Sequence, residues 1–441
     1  MPSVYIETYG CQMNVSDSEL MLGALAAHGY VAAEGPEGAD VILINTCAIR
    51  EHAEQRVLGR VGDLKRHMRR DTVMGVTGCM AQRLGPALLK KAKHVSLVIG
   101  PDGYRALPEL IAGARGGEKI VATDFDLEEH YEGLVARRYD GVKAWIPVQR
   151  GCDYRCTYCI VPYTRGAERS RQLADVVRET EAVVANGLTE VVLLGQTVNS
   201  YNDGTHDFAD LLRAVGTVKG IRRLRFTSPH PNDFSDRVMD AMTDVDAVCE
   251  HVHLPMQSGS TAVLKRMLRR YTRDEYLRCV ERLRAAIPGL GLTTDVIVGF
   301  PGETDEEFED TLSAVRAVGF DDAFTFKFSM RDGTPAARMP AEWLIDDAVA
   351  SERLDRLIAE VRNGARERNL GRLGEQREVL VEKGARRGEL LQARSRDFKT
   401  VLIEGDESLV GTYLTVELTG TTGSTFTGTP VRGRAPLPMA G

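Results

Sequence analysis

Three textures of apolar and polar positions follow one another along the chain. Up to about residue 118, short apolar runs alternate with segments of helical period. Val4–Tyr9 reads as a strand, followed by a turn at Gly10-Cys11 and a helix over Val15–His28 with an Asp/Ser-rich start. Val41–Asn45 is a second strand of buried type, followed by Thr46-Cys47 and a helix from Arg50 to about Arg69. Thr72–Thr77 is a third, followed by Gly78-Cys79 and a helix beginning near Gln82. The pattern predicts a parallel α/β domain over residues 1–118. Residues 118–140 show little periodicity and read as an acidic, irregular connector, so a linker is expected over 119–143.

From Ala144 the chain alternates strands and helices. The strands are Trp145–Gln149, Glu190–Leu194, Arg222–Thr227, Cys249–Leu254, Leu292–Val298 and Ala323–Ser329. The first intervening helix places Leu173, Val176, Val177, Thr180, Val183 and Val184 on one face. Six βα repeats predict a parallel sheet with right-handed crossovers. A closed eight-stranded barrel needs ~250 residues, and only about 187 run from Ala144 to Met330. An open six-stranded partial TIM-type barrel is therefore expected. Phe324, Phe326 and Phe328 alternate along its last strand and read as a core face. A charged helix over Asp346–Leu370 ends this domain, which spans 144–370. Beyond it, Val379–Glu382, Glu389–Arg394, Lys399–Ile403, Thr412–Leu418 and Ser424–Thr429 are short, evenly spaced strands. They predict a small all-β barrel over 371–436.

Composition changes this picture little. At 441 residues the length suits about three domains, and 43% hydrophobic residues suffice for real cores. The N-terminus lacks a basic stretch followed by an apolar core, and no apolar run approaches the ~20 residues of a membrane span. A cytoplasmic protein without membrane partners is expected. The net charge of −7 argues against general polyanion binding. Its distribution is uneven: Arg372–Lys399 holds eight Lys/Arg against five Asp/Glu. Eight cysteines in a reducing compartment read as metal ligands, catalytic thiols or packing.

The chemistry concentrates in two cysteine sets. Cys152, Cys156 and Cys159 form a C-x3-C-x2-C loop after the first barrel strand, at the rim where barrel chemistry sits. Structural zinc sites and electron-transfer clusters normally take four protein ligands. A three-cysteine loop suggests a cluster with one iron left open. Cys11, Cys47 and Cys79 each follow a strand and precede a helix, which in a parallel sheet brings them to one edge. They are expected to converge as a second metal site. Cys249 and Cys279 have no partners at ligand spacing and read as packing.

The loop Gly151-Cys-Asp-Tyr-Arg-Cys-Thr-Tyr-Cys-Ile-Val-Pro-Tyr-Thr-Arg-Gly166, with Tyr9-Gly-Cys-Gln-Met-Asn14, Asn45-Thr-Cys47 and Gly78-Cys79, resembles the methylthiotransferase family of radical S-adenosylmethionine enzymes. The likeness covers essentially the whole chain, and is strongest to the branch that modifies isopentenylated adenosine beside the tRNA anticodon. Relatives acting on threonylcarbamoyladenosine or on a ribosomal protein share the layout. The resemblance implies an N-terminal methylthiotransferase domain, a radical core and a C-terminal TRAM domain. It implies two 4Fe–4S clusters, one on Cys152, Cys156 and Cys159 and one on Cys11, Cys47 and Cys79. It further implies S-adenosylmethionine as both radical source and methyl donor, a reducing electron donor, and a monomer acting on tRNA that bears isopentenyladenosine. Ala167 departs from the basic residue expected there, while Arg165, Arg169 and Arg171 keep positive charge nearby.

Around such a cofactor, Gln196 and Asn199 offer amide hydrogen bonds, or equally cap their own turn. Ser258, in Gln257-Ser-Gly-Ser260, suits ribose hydroxyls or a helix cap. Gly299 and Gly302 permit close approach of an adenine or its ribose, and Glu303 fits either that site or the following helix start. Arg386, Arg387, Arg394, Arg396 and Lys399 on the terminal barrel fit RNA phosphate contacts, or a plain solvated face.

Overall fold

The computed structural model describes residues 1–48, 51–138, 141–385 and 390–431, with the backbone alone for 51–54. The chain divides into two compact units. The first comprises Met1–Tyr139, Trp145–Arg155 and Cys159–Arg171, and the second the remainder.

The first unit is built on a six-stranded sheet in the spatial order Val31–Ala32, Ser3–Tyr9, Val41–Thr46, Val73–Gly78, Leu97–Ile99, Ile120–Ala122. Every neighbouring pair is parallel. Val41–Thr46 and Val73–Gly78 are buried along their whole length, which is why they read as continuous apolar runs rather than alternating ones. One face packs Leu20, Met21 and Leu25 of the helix Gln12–Ala27, and the other packs Val57, Val61 and Leu64.

The segment expected as an irregular connector departs from that reading. Ile120–Ala122 adds the outermost strand, and Tyr131 is buried and stacks on Tyr104. Three apolar residues suffice to extend an existing sheet, yet they are too few to show a period in a sequence otherwise dominated by acids. The helix expected near Gln82 instead begins at Cys79.

In the second unit Glu190–Leu194 pairs parallel with Arg223–Phe226, and Leu224 bridges to Val248. His251–His253, Gly291–Val298 and Asp322–Lys327 continue as parallel neighbours. The strand Lys143–Pro147 precedes the cysteine loop, and its residues divide between the two units. This is an open (βα) sheet of partial-barrel type. On its last strand Phe328 packs edge-on against Phe300, but Phe324 is exposed. The core-face reading therefore fails at Phe324, whose ring meets His253 edge-on while most of its surface stays exposed. The terminal strands Gln376–Gly384, Leu390–Ser395, Thr400–Glu404, Tyr413–Thr421 and Thr425–Pro430 close into a barrel around Val379, Val401, Val416 and Phe426. Among the described residues no helix is long and apolar enough to cross a membrane.

Candidate active site

Ser3–Tyr9, Val41–Thr46 and Val73–Gly78 are consecutive neighbours in the sheet, so the residues after their carboxyl ends stand side by side. Those residues include Cys11, Cys47 and Cys79. Gly10 has φ +152°, and a Cβ there would lie 2.3 Å from Asn14 Oδ1 and 2.9 Å from Cys47 Cβ. Only glycine lets the two turns close this far. Asn14, fully buried, donates through Nδ2 to Asn45 Oδ1 (3.1 Å) and the Thr46 carbonyl (3.2 Å). Asn45 Nδ2 returns a bond to the Asn14 carbonyl (2.7 Å) and another to Ser18 Oγ (2.9 Å). This paired amide brace ties the Cys11 turn to the strand that leads to Cys47.

Charge at the site is asymmetric. The Cys47 thiol donates to the Cys11 sulfur and lowers the Cys11 thiol to about 6, against the effect of burial, with Arg165 and the backbone N–H groups of Asn14 and Met13 acting in the same sense. Burial pushes the Cys79 thiol up, and Arg165 opposes the rise. Arg165 ends the short helix Val161–Arg165 and donates from Nε to Cys79 Sγ at 3.3 Å. Its terminal nitrogens reach Asp17, Nη2 to Oδ2 at 2.6 Å and Nη1 to Oδ1 at 3.4 Å. Arg150 Nη2 (3.1 Å) and the Tyr104 hydroxyl (3.4 Å) share the same carboxylate, which has no solvent exposure. Burial alone would strip charge from Arg165, but Asp17 foremost holds it protonated.

Sequence reasoning gave no role to Asn14, Asp17, Asn45 or Arg150, although Asn14 and Asn45 stand in the motifs that carry the family resemblance. The available signal was Asn14, Asp17 and Ser18 at helical spacing directly behind Cys11. Arg165 and Arg169 were expected to keep positive charge near Ala167, and in the structure that charge is spent on buried carboxylates. Both are buried, and Arg169 holds Asp102 with two bonds of 3.0 Å.

On the other loop, Gly151 has φ +74°, and a Cβ would meet the Ala167 carbonyl at 1.9 Å. The Cys152 N–H donates to the Gly166 carbonyl at 3.2 Å. The Ala167 side chain is exposed, so the departure there leaves this backbone contact untouched. Cys152 and Cys159 belong to the first unit and Cys156 to the second. Beside Cys156, Thr157 is pinned to the Met267 and Arg266 carbonyls at 3.1 and 3.0 Å. Arg269, buried, donates from Nη1 to Cys156 Sγ (3.5 Å) and from Nε to the Tyr271 hydroxyl (3.0 Å). Cys249 and Cys279 are buried in the second unit.

The donor chemistry fits an iron–sulfur group at both places: cysteine sulfurs, each set with a buried guanidinium donating to one of them. Among the described residues no three His, Cys, Asp or Glu are gathered as for a single ion. A cluster bonds each thiolate to a different iron and asks less closeness than one ion does.

The remaining expected positions separate. Gln196 is half-buried. Asn199 exchanges two bonds with the His230 backbone, donating to its carbonyl at 2.9 Å and accepting from its N–H at 2.7 Å. The His230 imidazole is lowered to about 2 by burial and by Arg269 and Arg270, and is neutral. Ser258 is turned onto Thr311 Oγ1 at 3.2 Å. The Gly299 N–H donates to Glu303 Oε2 (2.7 Å), which also accepts from Arg353 Nη1 (2.9 Å), and the Gly302 N–H donates to the Trp343 carbonyl (2.7 Å). Gln257 Oε1 and Glu303 Oε1 are buried with no hydrogen-bond partner among the described residues, and Gln257 has φ +66°. Among the described residues of these two loops the buried oxygens without a protein partner are thus on Gln257 and Glu303 rather than on Ser258.

Arg386 and Arg387 lie outside the described residues. Arg394, Arg396 and Lys399 are not free cationic heads, correcting the expectation for them. Arg394 holds Glu382 (3.1 Å), Arg396 holds Glu250 (2.7 Å), and the buried Lys399 holds Asp321 (2.9 Å). Arg223 and Arg225 answer from the open sheet by donating to the carbonyls of Arg394 (2.7 Å), Ser395 (2.8 Å) and Arg396 (2.7 Å). These residues fasten the terminal barrel to the sheet of its own unit.

Residues 146–315 match the radical SAM superfamily, whose members work with an iron–sulfur cluster and S-adenosylmethionine. Residues 3–100 match the uncharacterized protein family UPF0004. The tRNA-2-methylthio-N(6)-dimethylallyladenosine synthase of Caldicellulosiruptor saccharolyticus is 45% identical over 424 residues, covering 94% of this chain and 89% of that protein. The enzyme of the same name from Thermoanaerobacter sp. (strain X514) is 45% identical over 433 residues, covering 96% and 92%. Among solved structures, the radical S-adenosylmethionine methyltransferase TsrM from Kitasatospora setae superposes with a TM-score of 0.61 at 17% identity, over 78% of each chain. That likeness is one of fold. With the cysteine sets in place and the identity running nearly end to end, the chain belongs to the tRNA-2-methylthio-N(6)-dimethylallyladenosine synthase family of radical SAM methylthiotransferases.

Proposed function

We propose that this protein places a methylthio group on C2 of N6-isopentenyladenosine next to the anticodon of tRNA. The observation that carries the reading is the gathering of Cys11, Cys47 and Cys79 at one sheet edge, in a chain 45% identical to synthases of that name over 94% of its length. Cys152, Cys156 and Cys159 hold the 4Fe–4S cluster that binds S-adenosylmethionine. Cys11, Cys47 and Cys79 hold a second. When bound, these groups supply the electron, the hydrogen-abstracting radical and the methylthio sulfur that an inert aromatic C–H requires.

The chain's own residues position and shield. The Asn14–Asn45 brace holds the thiols of Cys11 and Cys47 at a fixed separation, as a reacting constellation needs. Burial of Cys79 and Cys156 keeps water from the sulfurs. Gln257 Oε1 and Glu303 Oε1 accept from hydroxyl or ammonium groups of the bound cofactor, with the loops of Gln196, Asn199, Ser258, Gly299 and Gly302 around it. Residues 1–118 serve the second cluster, 119–143 link, 144–370 form the radical core, and 371–436 act as a TRAM-type RNA-binding barrel. The protein works as a cytoplasmic monomer with an external reductant.

Anaerobic incubation with isopentenylated tRNA, S-adenosylmethionine and dithionite, followed by nucleoside mass spectrometry, tests this. The expected product is the 2-methylthio nucleoside together with 5′-deoxyadenosine. Methylthiolation of threonylcarbamoyladenosine or of a ribosomal protein instead would overturn the substrate assignment.

A further inference from the structure

We infer that Arg165 is a positioning residue for the N-terminal thiol site, setting the electron affinity of the group held by Cys11, Cys47 and Cys79. The inference rests on reading those cysteines as cluster ligands. Arg165 follows the other cysteine loop in sequence, yet its guanidinium lies against Cys79. Every nitrogen of that guanidinium is engaged, with Nε facing Cys79 Sγ at 3.3 Å and Nη1 and Nη2 facing Asp17 at 3.4 and 2.6 Å.

A carboxylate gripping the terminal nitrogens of a planar fork leaves Nε pointing in one direction. Asp17 is itself held by Arg150 and Tyr104, so the aim does not depend on solvent. A buried ion pair retained for stability gains little over apolar packing, and stability alone does not call for a sulfur partner. Hydrogen bonds to cluster sulfurs and nearby positive charge raise reduction potentials, and partners beyond the ligands fix ligand orientation. The helix Val161–Arg165 begins two residues after Cys159, so a short rigid segment joins a ligand of one set to the charge beside the other.

The test uses the full chain carrying C152A, C156A and C159A, reconstituted anaerobically with iron and sulfide so that only the N-terminal site can load. Electron paramagnetic resonance, midpoint potential and iron retention under chelator are read with and without R165A. Asp17 keeps Arg150 as partner in that variant. The expected result is a lower midpoint, altered g-values and iron retention weakened about tenfold or more. R165K returns the charge without the fork, and its midpoint should fall between the two. Identical spectra and midpoints for R165A and its parent would overturn the inference alone. If R165A does not fold, R165K decides, and parent-like signals there overturn it equally. A parent that takes up no iron removes the two-cluster reading and this inference with it.

Discussion

Each unit holds a buried arginine against a cysteine sulfur, but the two are restrained by different means. Arg165 is gripped by the carboxylate of Asp17, which Arg150 shares. The described hydrogen bonds of Arg269 go to Cys156, the Tyr271 hydroxyl and the Pro255 carbonyl, all neutral groups when the thiol is protonated. The first arrangement trades charge for geometry: an ion pair fixes direction and cancels part of the field at Cys79. The second leaves a full guanidinium charge beside Cys156, stabilised by dipoles. On the proposed reading, a cluster that accepts electrons and leaves one iron open to a cofactor would gain most from the second.

The largest separation between the two sites should appear in turnover. Cys152, Cys156 and Cys159 replaced together by alanine should abolish both 5′-deoxyadenosine and methylthiolated nucleoside. The same change at Cys11, Cys47 and Cys79 should abolish only the nucleoside, as measured by chromatography of both products. Loss of 5′-deoxyadenosine in the second variant would erase the division of labour.

Stability should separate next. D17N leaves Arg150 and Arg165 buried without a carboxylate, and breaking such a pair costs about 3–5 kcal/mol. Y271F removes one neutral partner of Arg269 and should cost about 1–2 kcal/mol. Denaturant unfolding of the two variants compares them directly, and equal costs would show that Asp17 is no more than another dipole.

The smallest effect concerns a half-buried carboxylate held by two cations, at the seam under the terminal barrel. Burial would raise the Glu382 carboxyl, but Arg394 and Lys143 hold it at about 2 against an ordinary 4.5. A depressed carboxylate contributes stability that is present above its unfolded value and is lost as pH falls through the folded one. The stability of the second unit should therefore fall between about pH 4.5 and 2, read as a lower melting temperature, and E382Q should flatten that limb while lowering stability at neutral pH.

Much of this was legible because the physics is local. A strand buried on both faces must be apolar throughout, so Val41–Thr46 and Val73–Gly78 announce themselves. A cysteine after each of three successive strands of a parallel sheet must reach one edge, since parallel strands share a direction. Ile120–Ala122 was not legible, because three residues carry no period. The charged residues were legible as charges and not as partners. Arg394, Arg396 and Lys399 look like an RNA surface in sequence and are bound to Glu382, Glu250 and Asp321 in the fold.

The sequence by itself therefore determined most of the elements, the parallel class of the two α/β sheets, and the two cysteine sets with the chemistry their spacing implies. Only the tertiary structure decided which buried cation answers which anion or sulfur. Periodicity reports whether a side chain faces inward, whereas a guanidinium's partner depends on segments as far apart as Asp17 and Arg165. Their meeting is set by the packing of the whole unit.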